Sequence, residues 1–163
     1  MTATGSEPGS RQATSERETV ISRTIGARRE LVFEAFTDID HLARWWGPDG
    51  FTTTTTAFEF REGGEWTFVM HGPDGTDYAN WIRWREIVRP ERIRFVQGQS
   101  PDDPDAFETT VTFEDNGDAT GVCLRTEFPT RELRDRAVQR YGAIEGGRQT
   151  LGRLATYVAG PDS

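Results

Sequence analysis

The sequence contains no lysine: all 19 of its basic residues are arginine. That absence excludes Schiff-base chemistry on an amine and any phosphate-binding loop built around a lysine. Its single cysteine, Cys123, cannot close an internal disulfide, and the N-terminal residues offer no apolar stretch for a secretory signal. A reducing cytoplasm is the expected compartment. Nothing approaches the ~18 consecutive apolar residues of a membrane span. Positive charge is itself scarce, with 27 acids against those 19 bases and a net charge of -8. A nucleic-acid partner is therefore not expected, because phosphate contacts need clustered positive charge. Two histidines and one cysteine on separate elements are too few for the three or four ligands of a metal site. With no cofactor motif beside them, neither a metal nor a cofactor is expected.

Aliphatic residues are also few. Leu, Ile, Val and Phe number 32 of 163, about 20%, a composition that together with this charge borders on disorder. Their distribution removes the difficulty: residues 1 to 19 contain none of them, nor any Trp or Tyr, so the remainder holds the whole apolar complement. A flexible tail is expected over residues 1–16 and one domain over 17–160, one domain being what ~150 residues accommodate.

What the chain does have is a change of period along its length. Residues 19–25 are rich in β-branched residues and stop at Gly26, which predicts a strand. Leu31, Val32, Ala35 and Phe36 then recur at helical spacing, and Asp38 stands where it can cap a second short helix carrying Ile39, Leu42, Trp45 and Trp46 before Gly47-Pro48. From residue 51 to 128, β-branched and aromatic runs alternate with turn clusters, predicting six strands in a meander whose last pair is joined through Asn116-Gly117. Trp66, Phe68 and Met70 alternate with Glu65, Thr67 and His71, so one face is buried and the other wet. Residues 131–158 are helical in period. The predicted apolar stripe of this helix, expected to be one long bent element, is interrupted by Gly147 and Arg148, with Gly142, Gly146 and Gly152 nearby.

In that order, Trp45-Trp46-Gly47-Pro48, Arg61-Glu62-Gly63-Gly64-Glu65-Trp66, Met70-His71-Gly72-Pro73-Asp74-Gly75, Glu86-Ile87-Val88-Arg89-Pro90-Glu91-Arg92 and Glu145-Gly146 before Leu151 and Leu154 form an ordered set. The set resembles the START-like (SRPBCC) superfamily, and within it the branch named after activators of the heat-shock-protein-90 ATPase. The resemblance, running from about residue 18 to 159, implies an α+β helix-grip fold: a curved antiparallel sheet of about seven strands around a long C-terminal helix, with two short helices after the first strand. It also implies an apolar cavity between sheet and helix, without naming the ligand. Two positions depart from the pattern: many relatives carry Trp where this chain has Gly147, and an acid where it has Gly152. If the missing indole fills the cavity in relatives, Gly147 enlarges it here.

The expected function is the binding of a small apolar or aromatic ligand, with Trp46, Trp66, Phe68, Met70, Tyr78, Asn80, Trp84, Phe107, Tyr141, Gly147 and Arg148 as candidate contacts. Tyr78 and Asn80 share parity with Ile82 and Trp84, which would give apolar walls with convergent polar groups. Arg148 either snorkels to water or turns inward to pair with Glu145 or an anionic ligand. Glu145 is the candidate acid or base of an alternative reading, a polyketide cyclase- or dehydratase-like enzyme, in which burial would raise its pKa. A further alternative is a co-chaperone-like interaction module. No separate N-terminal domain of the kind heat-shock activators use is recognisable in the sequence, so a heat-shock protein ranks behind a small ligand as partner. Edge strands can pair between chains, and a homodimer is compatible with the topology. His71 and His41 read as surface or turn-bonded residues, and Asp115-Asn116-Gly117-Asp118 as a hairpin turn.

Overall fold

The computed structural model describes residues 16–159; the expected tail, Glu16 apart, lies outside the described residues. Strand β1 (Glu18–Ile25) is followed by the short helices α1 (Arg29–Glu34) and α2 (Ile39–Trp45). Six strands come next: β2 (Thr52–Phe58), β3 (Glu65–His71), β4 (Asp77–Val88), β5 (Arg92–Gly98), β6 (Phe107–Asn116) and β7 (Ala119–Glu127). The chain closes with α3 (Arg131–Tyr141) and α4 (Ala143–Ala159). All seven strands form one antiparallel sheet in the order β1-β7-β6-β5-β4-β3-β2, with β1 returning to pair beside the last strand. Register shifts between Thr55 and Ala57 and between Trp84 and Glu86 each add a residue to one strand of a pair. Such bulges bend and twist the sheet locally, which helps it curl around a helix.

Local chemistry sets the ends of these elements. The Asp38 carboxylate accepts from the Asp40 amide at 2.8 Å and starts α2, and the Thr130 hydroxyl accepts from the Leu133 amide at 3.1 Å to start α3. Gly117 takes a positive φ in the β6–β7 hairpin, where its amide donates to the Asp115 carboxylate. The C-terminal helix differs from the single bent element expected. It is two helices, because Gly142 adopts φ 64° and ψ 41°, a left-handed cap open to glycine at little cost.

The core lies on the concave face. Trp66, Phe68, Ile82, Trp84, Ile93, Phe95, Val111, Phe113 and Val122 from the sheet meet Val32 and Phe33 from α1, Phe36 from the turn after it, Leu42 and Trp45 from α2, and Leu151 and Leu154 from α4. Alternation puts each strand residue there, and each buried aromatic contributes roughly 2–3 kcal/mol by area. Ring pairs run through it: Phe33 with Phe113 at 5.1 Å, Phe36 with Trp45 at 4.8 Å, Phe60 with Trp84 at 4.9 Å between centroids.

Candidate functional site

The core does not extend the full length of the space beneath α4. Between β5, β6 and β7 and the first half of α4 lies a cavity of about 370 Å³. Its floor is the inward row of three neighbouring strands: Phe95 and Gln97, then Phe107, Thr109 and Val111, then Leu124 and Thr126. The roof is Ala143, Gly146, Gly147, Thr150 and Leu151 of α4, reached through Tyr141 and Gly142. Trp45, Trp46, Gly47 and Pro48, at the end of α2, close one side together with Phe36 and Met70.

Trp46 is the partition. Its ring stands 5.2 Å from Trp66, 6.1 Å from Phe95 and 6.5 Å from Phe68, so one face seals the packed core while the residue also lines the cavity. It is held there through its backbone: the Arg153 guanidinium donates to the carbonyls of Trp46, Gly47 and Pro48 at 3.2, 3.0 and 2.9 Å. None of the lining residues described carries a charge. The polar groups are neutral and mostly engaged already. Thr109 and Thr126 hydroxyls are 3.0 Å apart, the Gln97 amide donates to the Asn80 side-chain oxygen at 2.9 Å, and Thr150 donates to the Gly146 carbonyl at 2.9 Å. Each of these side chains retains capacity to meet a hydroxyl or carbonyl of a guest. Among the described residues no cluster of potential metal ligands forms.

Of the residues singled out from sequence, Trp46, Met70, Phe107, Tyr141 and Gly147 come together at this lining. Trp66, Phe68 and Trp84 do not reach it. They are fully buried in the aromatic core, where Trp66 and Phe68 stack at 3.8 Å and the Trp66 indole donates to the Thr55 hydroxyl at 3.0 Å. The buried Trp84 indole nitrogen has no hydrogen-bond partner among the described residues. Tyr78 is 41% exposed and tilts against Phe51 near the start of β4, beyond the cavity. Asn80 stands one step removed, behind Gln97.

Two expectations need correction. Glu145 and Arg148 pair with each other at 3.7 Å, but on the outer side of α4, where both side chains are 66% exposed. The burial that would have tuned Glu145 as an acid is absent, and Arg148 reaches water. Gly147 does line the cavity, yet it does not enlarge it by a missing side chain. A Cβ there would run into the Cδ1 of Ile21 on β1, so glycine at this position permits close approach of helix to strand. Gly146 has more space: a Cβ would meet only Pro48, at 3.4 Å.

Sequence reasoning did not find Gln97, Thr109, Leu124, Thr126 or Thr150 as lining residues. The signal was present in the parity of Thr109 with Phe107 and Val111, and of Thr126 with Leu124 and Phe128. A threonine amid inward-facing rings marks a place where the opposite layer does not press. The two histidines are turn- and surface-bonded: His71 bridges Thr54 and Asp77 at 2.8 Å each, and His41 meets the Tyr157 hydroxyl at 2.5 Å.

Comparison with known proteins agrees with this architecture. The family described as Activator of Hsp90 ATPase homolog 1-like protein matches residues 26–159. A solution structure of a protein from Arthrobacter aurescens superposes with a TM-score of 0.82 at 25% identity, over 91% of this chain and 89% of that one. A crystal structure of a Chromobacterium violaceum protein gives 0.75 at 26% identity, over 87% and 96%. The AHSA1 protein of Silicibacter pomeroyi gives 0.71 at 23% identity, over 87% and 97%. No curated protein matches the chain significantly.

Proposed function

We propose that this chain, which belongs to the Activator of Hsp90 ATPase homolog 1-like family, binds a small, uncharged and largely apolar or aromatic molecule in the cavity beneath α4. The observation that carries the reading is the lining itself. A volume of about 370 Å³ is bounded by aromatic and aliphatic side chains, with Gln97, Thr109, Thr126 and Thr150 as its polar groups and no charge among the described residues. Concave, mostly apolar sites with a few fixed polar groups are the usual form of small-molecule sites. A carboxylate or ammonium guest would be desolvated there without a counter-charge, a cost of several kcal/mol.

Trp46, Met70, Phe107 and Tyr141 supply ring and thioether contacts, and the threonine pair with Gln97 orients a hydroxyl or carbonyl of the guest. Trp66, Phe68 and Trp84 support the wall from behind. The partly exposed, unpaired Cys123 fits a reducing cytoplasm as the working compartment. No helix among the described residues is long and apolar enough to cross a membrane.

Native mass spectrometry of the protein as purified, together with titration of a fluorescent apolar probe, tests the proposal against a Leu124→Trp variant that fills the cavity from its floor. A retained neutral small molecule or saturable probe binding in the wild type, lost in Leu124→Trp, is the expected result. Probe binding that never saturates, or that Leu124→Trp leaves unchanged, would overturn it.

A further inference from the structure

The other flank of α4 carries a second cavity of opposite character. Gly146, Gly147 and Thr150 face the apolar space, whereas Gln149, Gly152, Arg153, Thr156 and Tyr157 line a recess of about 550 Å³ completed by Arg23 of β1, Arg44 of α2 and Asp49. In a chain of net charge -8, three guanidiniums here face one carboxylate.

None of the three arginines forms an ion pair among the described residues, although most of the chain's ion pairs are made by other arginines. Arg153 spends two nitrogens on backbone carbonyls, those of Trp46, Gly47 and Pro48 and, at 3.3 Å, that of Arg44. Carbonyls position a guanidinium without neutralising it. Among the described residues Arg44 donates only from Nε, toward the Asp40 carbonyl at 3.0 Å, and its two terminal nitrogens meet no acceptor. Gly152 keeps the recess open, since a Cβ there would meet only the Arg23 Nη1, at 3.9 Å. Gln149 accepts the Asp49 amide at 3.0 Å, so its own amide group remains a donor.

We infer that this recess is an anion site whose ligand is the phosphate group of a small phosphomonoester. Three guanidiniums against Asp49 leave two positive charges, which matches the roughly -1.5 to -2 of a phosphomonoester near neutral pH. Forked N–H donors suit phosphate oxygens, and arginine meets them two at a time. The other polar groups around the rim, Gln149, Thr156 and the Tyr157 hydroxyl that meets His41, are neutral and add no competing negative charge. The site is separate from the apolar cavity, and its occupant differs in kind.

The test is a titration of the full chain, by NMR and by thermal shift, with inorganic phosphate, phenyl phosphate and benzoate in parallel. Saturable binding of phenyl phosphate, at least about tenfold tighter than benzoate and weakened at least about tenfold by Arg23→Gln or Arg44→Gln, is expected. Phosphate binding as tightly as phenyl phosphate would make the free ion the ligand and overturn the monoester. Gly152→Glu introduces a carboxylate beside Arg23 while keeping all three arginines, and abolishes binding while leaving the apolar-probe titration unchanged. Absence of saturation at tens of millimolar, or equal binding in Gly152→Glu, would overturn the site. Since Gly152→Glu spares the cavity, failure of one site is distinguishable from failure of the other.

Discussion

The interior beneath the helices has two halves made from similar strands and finished differently. In one half rings arrive from both layers: Trp66, Phe68 and Trp84 from the sheet, Phe33 from α1, Phe36 from the turn after it and Trp45 from α2, all essentially inaccessible. Where β5 to β7 face the start of α4, the sheet still supplies Phe95, Phe107 and Leu124, but the helix offers nothing larger than Thr150 to the lining before Leu151. The difference teaches that the number of aromatic residues does not fill an interior. Filling depends on what the opposing layer brings, and the first two turns of α4 bring only Ala143, Gly146, Gly147 and Thr150 to this space.

The most severe way to break this contrast is truncation on each side. Trp66→Ala removes an inaccessible ring together with its hydrogen bond to Thr55 and is expected to cost about 3–5 kcal/mol in urea unfolding. Phe107→Ala, whose ring already borders empty space, is expected to cost only about 1 kcal/mol, because it forfeits fewer packed contacts. Similar losses at both positions would erase the distinction between the halves.

A finer cut separates adjacent residues of α4. Gly147→Ala is expected to destabilise by about 1–2 kcal/mol through its collision with Ile21. Added Ile21→Val, which deletes the colliding methyl, should recover part of that loss in a double-mutant cycle. Gly146→Ala meets only Pro48 and is expected to stabilise by roughly 0.5–1 kcal/mol through helix propensity alone. The same denaturation experiment reads both signs.

The smallest effect sits on the convex face behind the filled half. The hydrogen bond from Arg92 holds the Glu86 carboxyl below its ordinary value of 4.5, and that from Arg83 does the same for Glu65. A depressed folded-state pKa contributes stability above the ordinary value, and this is lost as pH falls through the folded value. Stability should therefore drop below pH 4.5, and Glu86→Gln should make that acid limb shallower in a series of melts at stepped pH. Both groups are solvent-screened, so the change is small.

These contrasts also mark what could be read without coordinates. Strand parity placed Trp66, Phe68 and Met70 on the inward face, and the structure puts them there, because a two-residue period is local and rigid. Parity does not tell how far along a strand the cavity extends. Tyr78 shares a face with Trp84, yet β4 runs twelve residues and neither end lies over the gap. For the helix, glycine inside an apolar stripe is ambiguous between a missing side chain and a close approach. Only the position of Ile21 on a strand more than a hundred residues earlier decides it at Gly147, and only the backbone angles at Gly142 reveal the break. Glu145 was misjudged for a related reason: standing beside the stripe does not fix which side of it a flexible side chain takes.

The left-handed residue at Gly142 has a consequence for how unevenly the molecule breathes. Helix α3 has no fully buried residue, and its link to α4 is one residue whose rotation is cheap. It is capped by Thr130 and tied to β1 mainly by Arg134, which donates to the Glu18 carbonyl at 3.2 Å. Helix α4, by contrast, is anchored through Leu151 and Leu154. Local opening costs least where few apolar contacts hold an element. Amide protons of residues 131–141 should then exchange with deuterium well before those of residues 148–156, marking the end with Tyr141 as the doorway of the cavity and the sheet as its fixed frame.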